Sequence, residues 1–170
     1  SGGVAMVLSH RDAAPSGHAI QTMLTLAATE HNRLCCGWHD RMETDAPQLL
    51  KQAVMLKSKT FQQSQSEFGW DLSAFDEIVF HQVGKSYIND AIKTLGIDER
   101  KVLRTYPEYG NMASASLPFT LSKIDELGRL KSGNRIDCLE VFNGISNTPK
   151  DSELTSLYRQ KNNSGRYLSI

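Results

Sequence analysis

The stretch FDEIVFHQVGKSYINDAIKTLGI, residues 75–97, decides how this chain folds. The run Asp76 to Phe80, with its EIVF segment, ends directly on His81 and has the length and composition of a buried strand. Beyond His81 the period changes. Tyr87, Ile88, Ala91, Ile92 and Leu95 recur at helical spacing as far as Gly96, a residue that stops helices by accepting left-handed backbone. A strand that hands over to a helix in this way is the unit of an α/β layered fold, and it puts His81 at the junction.

The same alternation extends on both sides. Upstream, Asp45 is placed to cap a long helix with Pro47 in its first turn, where a missing N–H costs little. Leu49, Leu50, Ala53, Val54, Leu56, Phe61 and Phe68 mark its inner face, and Gly69 its end. Two further strands are expected before it: Gly2 and Gly3 lead into the apolar run Val4 to Leu8, and Ala19 to Ala27 is rich in Ile, Met, Leu and Thr. Between them and the helix, TEHNRLCCGWHDRMETD (residues 29–45) has neither period and reads as an ordered loop. Downstream, a loop with Pro107 and Gly110 precedes a helix through Leu117, Leu121, Ile124 and Leu127, closed by Gly128. Gly133 and Asn134 then turn the chain into a last strand, Arg135 to Phe142. The spacing divides the chain into a domain over residues 1–142 and a polar tail over 143–170, where periodic apolar residues run out.

Composition narrows the function classes. The 170 residues carry nineteen basic and nineteen acidic side chains, so no net field recruits nucleic acid or an anionic membrane. No apolar run approaches the roughly 18–20 residues of a membrane span, and SGGVAMVLSH lacks the charged start of a signal peptide. Three cysteines, two of them adjacent, make no paired disulfide framework, which points to a reducing, cytoplasmic setting. A chain that opens on a glycine turn into a buried strand also reads as a fragment whose preceding half is elsewhere.

Two polar residues stand out as candidates for chemistry: His81, in FHQVG, and Asn111, thirty residues later in EYGNMASASLP. Both are expected at strand-to-helix junctions, where crevices open in α/β sheets. An imidazole N–H and an amide NH2 converging on one carbonyl oxygen would stabilise negative charge there. Each also has a plainer reading, since a His after an apolar strand is often structural and Gly-Asn is a turn dipeptide. His31, Cys35, Cys36 and His39 form a rival cluster, but zinc sites usually separate their cysteines by two to four residues, so this segment is read as pocket lining or packing. Phe61, Phe68 and Trp70 are read as packing. Walker and dinucleotide glycine motifs are absent.

HQ at a strand end, followed by EYGNMASASLP, resembles the His and Asn signatures of ketoacyl-acyl-carrier-protein synthase III and its relatives in the thiolase superfamily. The similarity runs through SGGVAMVL, the long helix, LGID at 95–98 and GRLKSGNRI at 128–136, covering roughly residues 1 to 136. HNRLCCG with METD at 42–45 is more similar to the head-to-head acyl-CoA condensing enzymes of olefin biosynthesis. The resemblance implies an α/β thiolase-like half-domain, a mixed sheet layered with helices, whose parent joins two acyl thioesters by Claisen condensation. It implies His81 and Asn111 as catalytic residues on the second thioester, with Gly110 aiming Asn111 and Ser116, with Pro118, beginning the next helix. Substrates would be acyl-CoA or acyl carrier protein thioesters, with no other cofactor and no metal. The partners implied are the half that bears the nucleophilic cysteine and a second copy in a homodimer. None of Cys35, Cys36 and Cys138 has the helix N-terminal setting that activates that cysteine; Cys138 is expected in a buried strand. Lys85, just past the HQ motif, could meet a phosphate or an acidic carrier.

The sequence departs from the family at two points. Gly84 stands where the motif usually continues HQxN. After the last strand, VFNGISNTPKDS (141–152) replaces the glycine-rich loop that closes the site in the family. A changed reading frame, a degenerate copy and a true variant would each explain this, and a non-catalytic partner subunit is the alternative to an enzyme.

Overall fold

The computed structural model describes residues 2–13 and 18–139. The last part of the expected final strand and the whole of the tail from 143 lie outside the described residues, and so does the boundary between them.

The long helix, α1, runs from Ala46 to Phe68. Asp45 caps it, its Oδ1 accepting from the Gln48 N–H at 3.1 Å, an interaction worth about 1 kcal/mol. Gly69 ends it in left-handed backbone at φ 66°. Its buried positions are Ala53, Lys57, Phe61 and Ser64, so the inner face carries a cation and a hydroxyl as well as the apolar residues. At its end Phe68 packs at a tilt on Trp70, with centroids 5.2 Å apart, and Trp70 meets Phe75 edge to face at 5.9 Å.

Strand β3 (Glu77–Phe80) and helix α2 (Lys85–Leu95) lie where the periodicity puts them, and Gly96 closes α2 at φ 66°. All four β3 residues are buried. Ile78 and Phe80 join Ala53 of α1, Tyr87, Ile88 and Ala91 of α2, and Leu139 in one apolar cluster, each large side chain contributing about 1.5–3 kcal/mol. Alternation turns Glu77 and Val79 to the other side, where α4 (Ser116–Glu126) packs. There the buried Glu77 carboxylate takes a bidentate contact from Arg129 at 2.7 and 2.8 Å. β4 (Ile136–Leu139) pairs with β3 in parallel, Glu77 opposite Ile136 and Phe80 opposite Leu139. Parallel partners need a long crossover, supplied by α2, the short helix α3 (Tyr106–Tyr109) and α4.

Four expectations change. Residues 2–10 and 18–28 form no strand, and Val7 is 94% exposed. An apolar run becomes a strand only when a neighbour takes its N–H and C=O groups, and none does among the described residues. The segment read as an ordered loop contains regular structure: a 3₁₀ turn at Thr29–Leu34 leads into an antiparallel hairpin of β1 (Cys35–Gly37) and β2 (Met42–Thr44). Trp38 N–H donates to Arg41 C=O across the turn at 2.7 Å, and the Arg41 guanidinium covers the Trp38 ring. This ribbon and the parallel pair are two separate two-stranded sheets. Cys138 is exposed while Asp137 and Leu139 are buried, because alternation along β4 turns the carboxylate inward and the thiol outward. On α4 the buried row is Ser116, Thr120 and Ile124, and Leu127 is left exposed. No helix among the described residues is long and apolar enough to cross a membrane.

Candidate active site

His81 follows β3 directly. Its N–H extends the parallel ladder to Leu139 C=O at 3.3 Å, its C=O accepts from Val83 N–H at 3.1 Å, and the residue is 8% exposed. The backbone at this position is therefore fixed on both sides by the sheet and by the tight turn into α2. Gly84 is the residue before α2 and offers no side chain to cap it; Lys85 opens the helix and is exposed.

Asn111 does not follow a strand. It lies in the turn between α3 and the 3₁₀ turn Ala113–Ala115 that leads into α4. Pro107 stands in the first turn of α3, where its missing N–H costs little, and Gly110 ends the helix after one turn at φ 71°, ψ −168°, a conformation open in practice only to glycine. Two residues past Asn111, Ala113 has φ 50°, the one positive value at a non-glycine position among the described residues. The strain is held in place by the Ala113 N–H, which donates to Asn111 Oδ1 at 2.9 Å. With the amide oxygen occupied in this way, the exposed Asn111 side chain keeps its NH2 group for an acceptor outside the turn. Ser116 opens α4, fully buried, and its Oγ accepts from Met112 N–H at 3.1 Å. Gly2 reaches the same loop: a Cβ there would run into the Met112 side chain.

Gln82 carries no role in the sequence reading, yet it is the most heavily bonded side chain here. Fully buried, it donates through Nε2 to Phe80 C=O at 3.0 Å and Leu103 C=O at 3.3 Å. Its Oε1 accepts from the N–H groups of Thr105 and Tyr106 at 2.9 and 3.2 Å, the two donors left open at the start of α3. Thr105 and Thr120 share a hydrogen bond at 2.8 Å, and Thr120 donates to Ser116 C=O at 2.8 Å. The sequence signals for this seam are the glutamine of the HQ pair and Ser116 of EYGNMASASLP; the threonines lie in no motif.

The other candidates stay apart from this centre. Cys35 Sγ shares a hydrogen bond with Thr44 Oγ1, and Cys36 Sγ turns back to Asn32 and Arg33 carbonyls. Among the described residues no three His, Cys, Asp or Glu side chains gather as a metal site.

Comparison with known proteins places this arrangement. Residues 66–145 match the family of the 3-oxoacyl-[acyl-carrier-protein] synthase III C-terminal domain. The chain is 39% identical over 145 residues to an acyl-CoA:acyl-CoA alkyltransferase of Xanthomonas campestris pv. campestris, a match covering 85% of this chain and 43% of that protein. It is 33% identical over 95 residues to the beta-ketoacyl-[acyl-carrier-protein] synthase III of Clostridium tetani, covering 56% of this chain and 28% of that one. Among solved structures, the 3-oxoacyl-(acyl carrier protein) synthase III of Xanthomonas oryzae pv. oryzae superposes with a TM-score of 0.68 at 43% identity, over 72% of this chain and 36% of that one. Cerulenin-bound OleA of Xanthomonas campestris gives the same values. The chain thus spans less than half the length of these relatives.

The fold is that of the thiolase-like condensing enzymes. Within that class the chain belongs to the ketoacyl-synthase III type, and it corresponds to the C-terminal half.

Proposed function

We propose that this chain supplies the His/Asn half of an active site that joins two acyl thioesters through a carbon–carbon bond. The reading rests above all on Asn111: a glycine-only turn, a strained alanine and an internal hydrogen bond hold its amide as a donor, in a segment tied to the end of β3 that carries His81. Structure that costs energy and serves no packing purpose is characteristic of a site.

In the reaction, a cysteine thiolate attacks the carbonyl of the first thioester and releases its thiol, leaving an acyl-enzyme. The second thioester then loses CO2, or an α-proton to a base, and its carbonyl becomes an enolate. His81, presenting a ring N–H, and the Asn111 NH2 donate to the enolate oxygen. Both bonds strengthen as charge develops, so they lower the barrier rather than merely bind substrate. The enolate carbon attacks the acyl-enzyme carbonyl, the new C–C bond forms and the cysteine thiolate leaves. The two thioesters are coenzyme A or acyl carrier protein derivatives, and no further cofactor is required. The acyl-CoA:acyl-CoA alkyltransferase relatives favour coenzyme A for both.

None of this chain's cysteines stands at a helix N-terminus, so the nucleophile belongs to the other half of the enzyme, and this chain alone is inactive. The working protein is a cytoplasmic dimer on this reading. Incubating the complete protein with an acyl-CoA and weighing it by mass spectrometry tests this. One acyl group on a cysteine outside this chain is the expected result. Absence of any acylated cysteine would favour the non-catalytic subunit instead, and acylation of Cys35, Cys36 or Cys138 would overturn the division of the site.

A further inference from the structure

His81 and Asn111 sit on separate segments, thirty residues apart in sequence, and an enolate oxygen needs both donors at hydrogen-bond distance at once. Something must set their separation. A continuous run of hydrogen bonds, buried except for its part-buried last link, joins the residue after His81 to the residue after Asn111. Gln82 Oε1 holds Thr105 N–H; Thr105 Oγ1 meets Thr120 Oγ1; Thr120 donates to Ser116 C=O; Ser116 Oγ holds Met112 N–H. Gln82, Thr120 and Ser116 are fully buried and Thr105 is 5% exposed. An apolar helix face would have filled this space more simply, and α4 has leucines available, yet it turns Ser116 and Thr120 inward instead.

We propose that Gln82, Thr105, Thr120 and Ser116 form a positioning network that fixes the Asn111 amide relative to the His81 ring. Gln82 anchors it to β3 through Phe80 C=O and caps α3 at its start, so the single turn of α3 becomes a rigid spacer between the strand end and Gly110. Ser116 anchors the far side. Neither Gln82 nor the threonines touch substrate; they act through Asn111. Buried polar networks of this kind are costly when partly satisfied, which gives the loop one preferred position. The inference rests on the reading of His81 and Asn111 given above.

A double-mutant cycle in the complete enzyme tests it. Gln82→Ala and the isosteric Thr120→Val are each expected to slow condensation roughly 10- to 100-fold, as a misplaced donor does, while leaving the acylation half-reaction unchanged. In an Asn111→Ala background the same substitutions should cost less than about threefold, because a network that acts only through Asn111 has nothing left to position. Thr120→Ser, which keeps the hydroxyl, should restore most of the rate. Equal losses in both backgrounds, or parallel losses in acylation and condensation, would reduce the network to ordinary stability and overturn the proposal. Slow condensation in Asn111→Ala with normal rates in Gln82→Ala and Thr120→Val would sink the network alone; a normal rate in Asn111→Ala would instead sink the reading of the site. Where Gln82→Ala fails to fold, Thr120→Val carries the test. In the chain by itself, Thr120→Val should speed amide hydrogen exchange at Met112 by roughly tenfold, and unchanged exchange there would count against the link.

Discussion

β3 is flanked by two regions built from different chemistry. Toward α1 and α2 it meets Ala53, Tyr87, Ile88 and Ala91 in a cluster held by apolar burial. Toward α3 and α4, from the end of the strand onward, the buried groups are Gln82, Thr105, Ser116 and Thr120, bonded to one another and to backbone. Apolar contact tolerates small shifts, since it has little direction; hydrogen bonds in a buried seam have fixed lengths and angles. The first region makes the domain stable, and the second gives a loop a defined position.

Breaking each region should therefore read out differently. Ile78→Ala, in the centre of the apolar region, should cost about 2–5 kcal/mol of stability, seen in urea unfolding of the chain, with little change in the partition between acylation and condensation in the complete enzyme. Loss of stability as small as that from Thr120→Val, about 1–2 kcal/mol, would erase the contrast.

Asp137, like Lys57, is a buried charged residue inside the apolar region, and it offers the next largest effect. It lies 5% exposed beside Ile78's strand, and burial pushes its carboxyl up to about 6, against the lowering effects of the Cys138 N–H and the Lys57 charge. A carboxyl raised in the folded state holds a proton that the unfolded chain has already released. Its contribution to stability should thus be fully present below about pH 4, be lost as pH rises toward 6 and level off above it, the total change being about 3 kcal/mol. Asp137→Asn should abolish that dependence and be the more stable protein at pH 7, with the two converging near pH 4. A wild-type profile that instead rises through this range would show that Lys57 outweighs burial.

The two regions also differ in how far they can be read from sequence. EIVF and the Tyr87–Leu95 spacing announce β3 and α2, and Asp45 and Gly69 bound α1 correctly, because apolar period and capping chemistry are local. The α3–α4 seam follows no period. Leu117, Leu121 and Leu127 suggest one face of α4, but Ser116 and Thr120 take the buried row since Thr105 offers a partner fifteen residues away, a long-range fact. The glycine requirement at Gly110 is visible in the motif; the strain at Ala113 is not. Val4–Leu8 and Ala19–Ala27 fail as strands for a related reason, since a strand depends on a neighbour that its own residues do not specify. At Cys138 the residue type suggested burial, and the alternation that decided otherwise depends on register against β3.

The central claim is that His81 and Asn111 act together on the second thioester and not on the first. Single-turnover kinetics of the complete enzyme with Asn111→Ala measures this most directly, with the acyl-enzyme formed first and the second thioester added afterwards. Acylation should proceed at the wild-type rate and condensation should fall by roughly 10²–10³-fold, the cost of removing one oxyanion donor, with His81→Ala giving the same pattern. Equal slowing of both steps, or condensation at the wild-type rate, would contradict it.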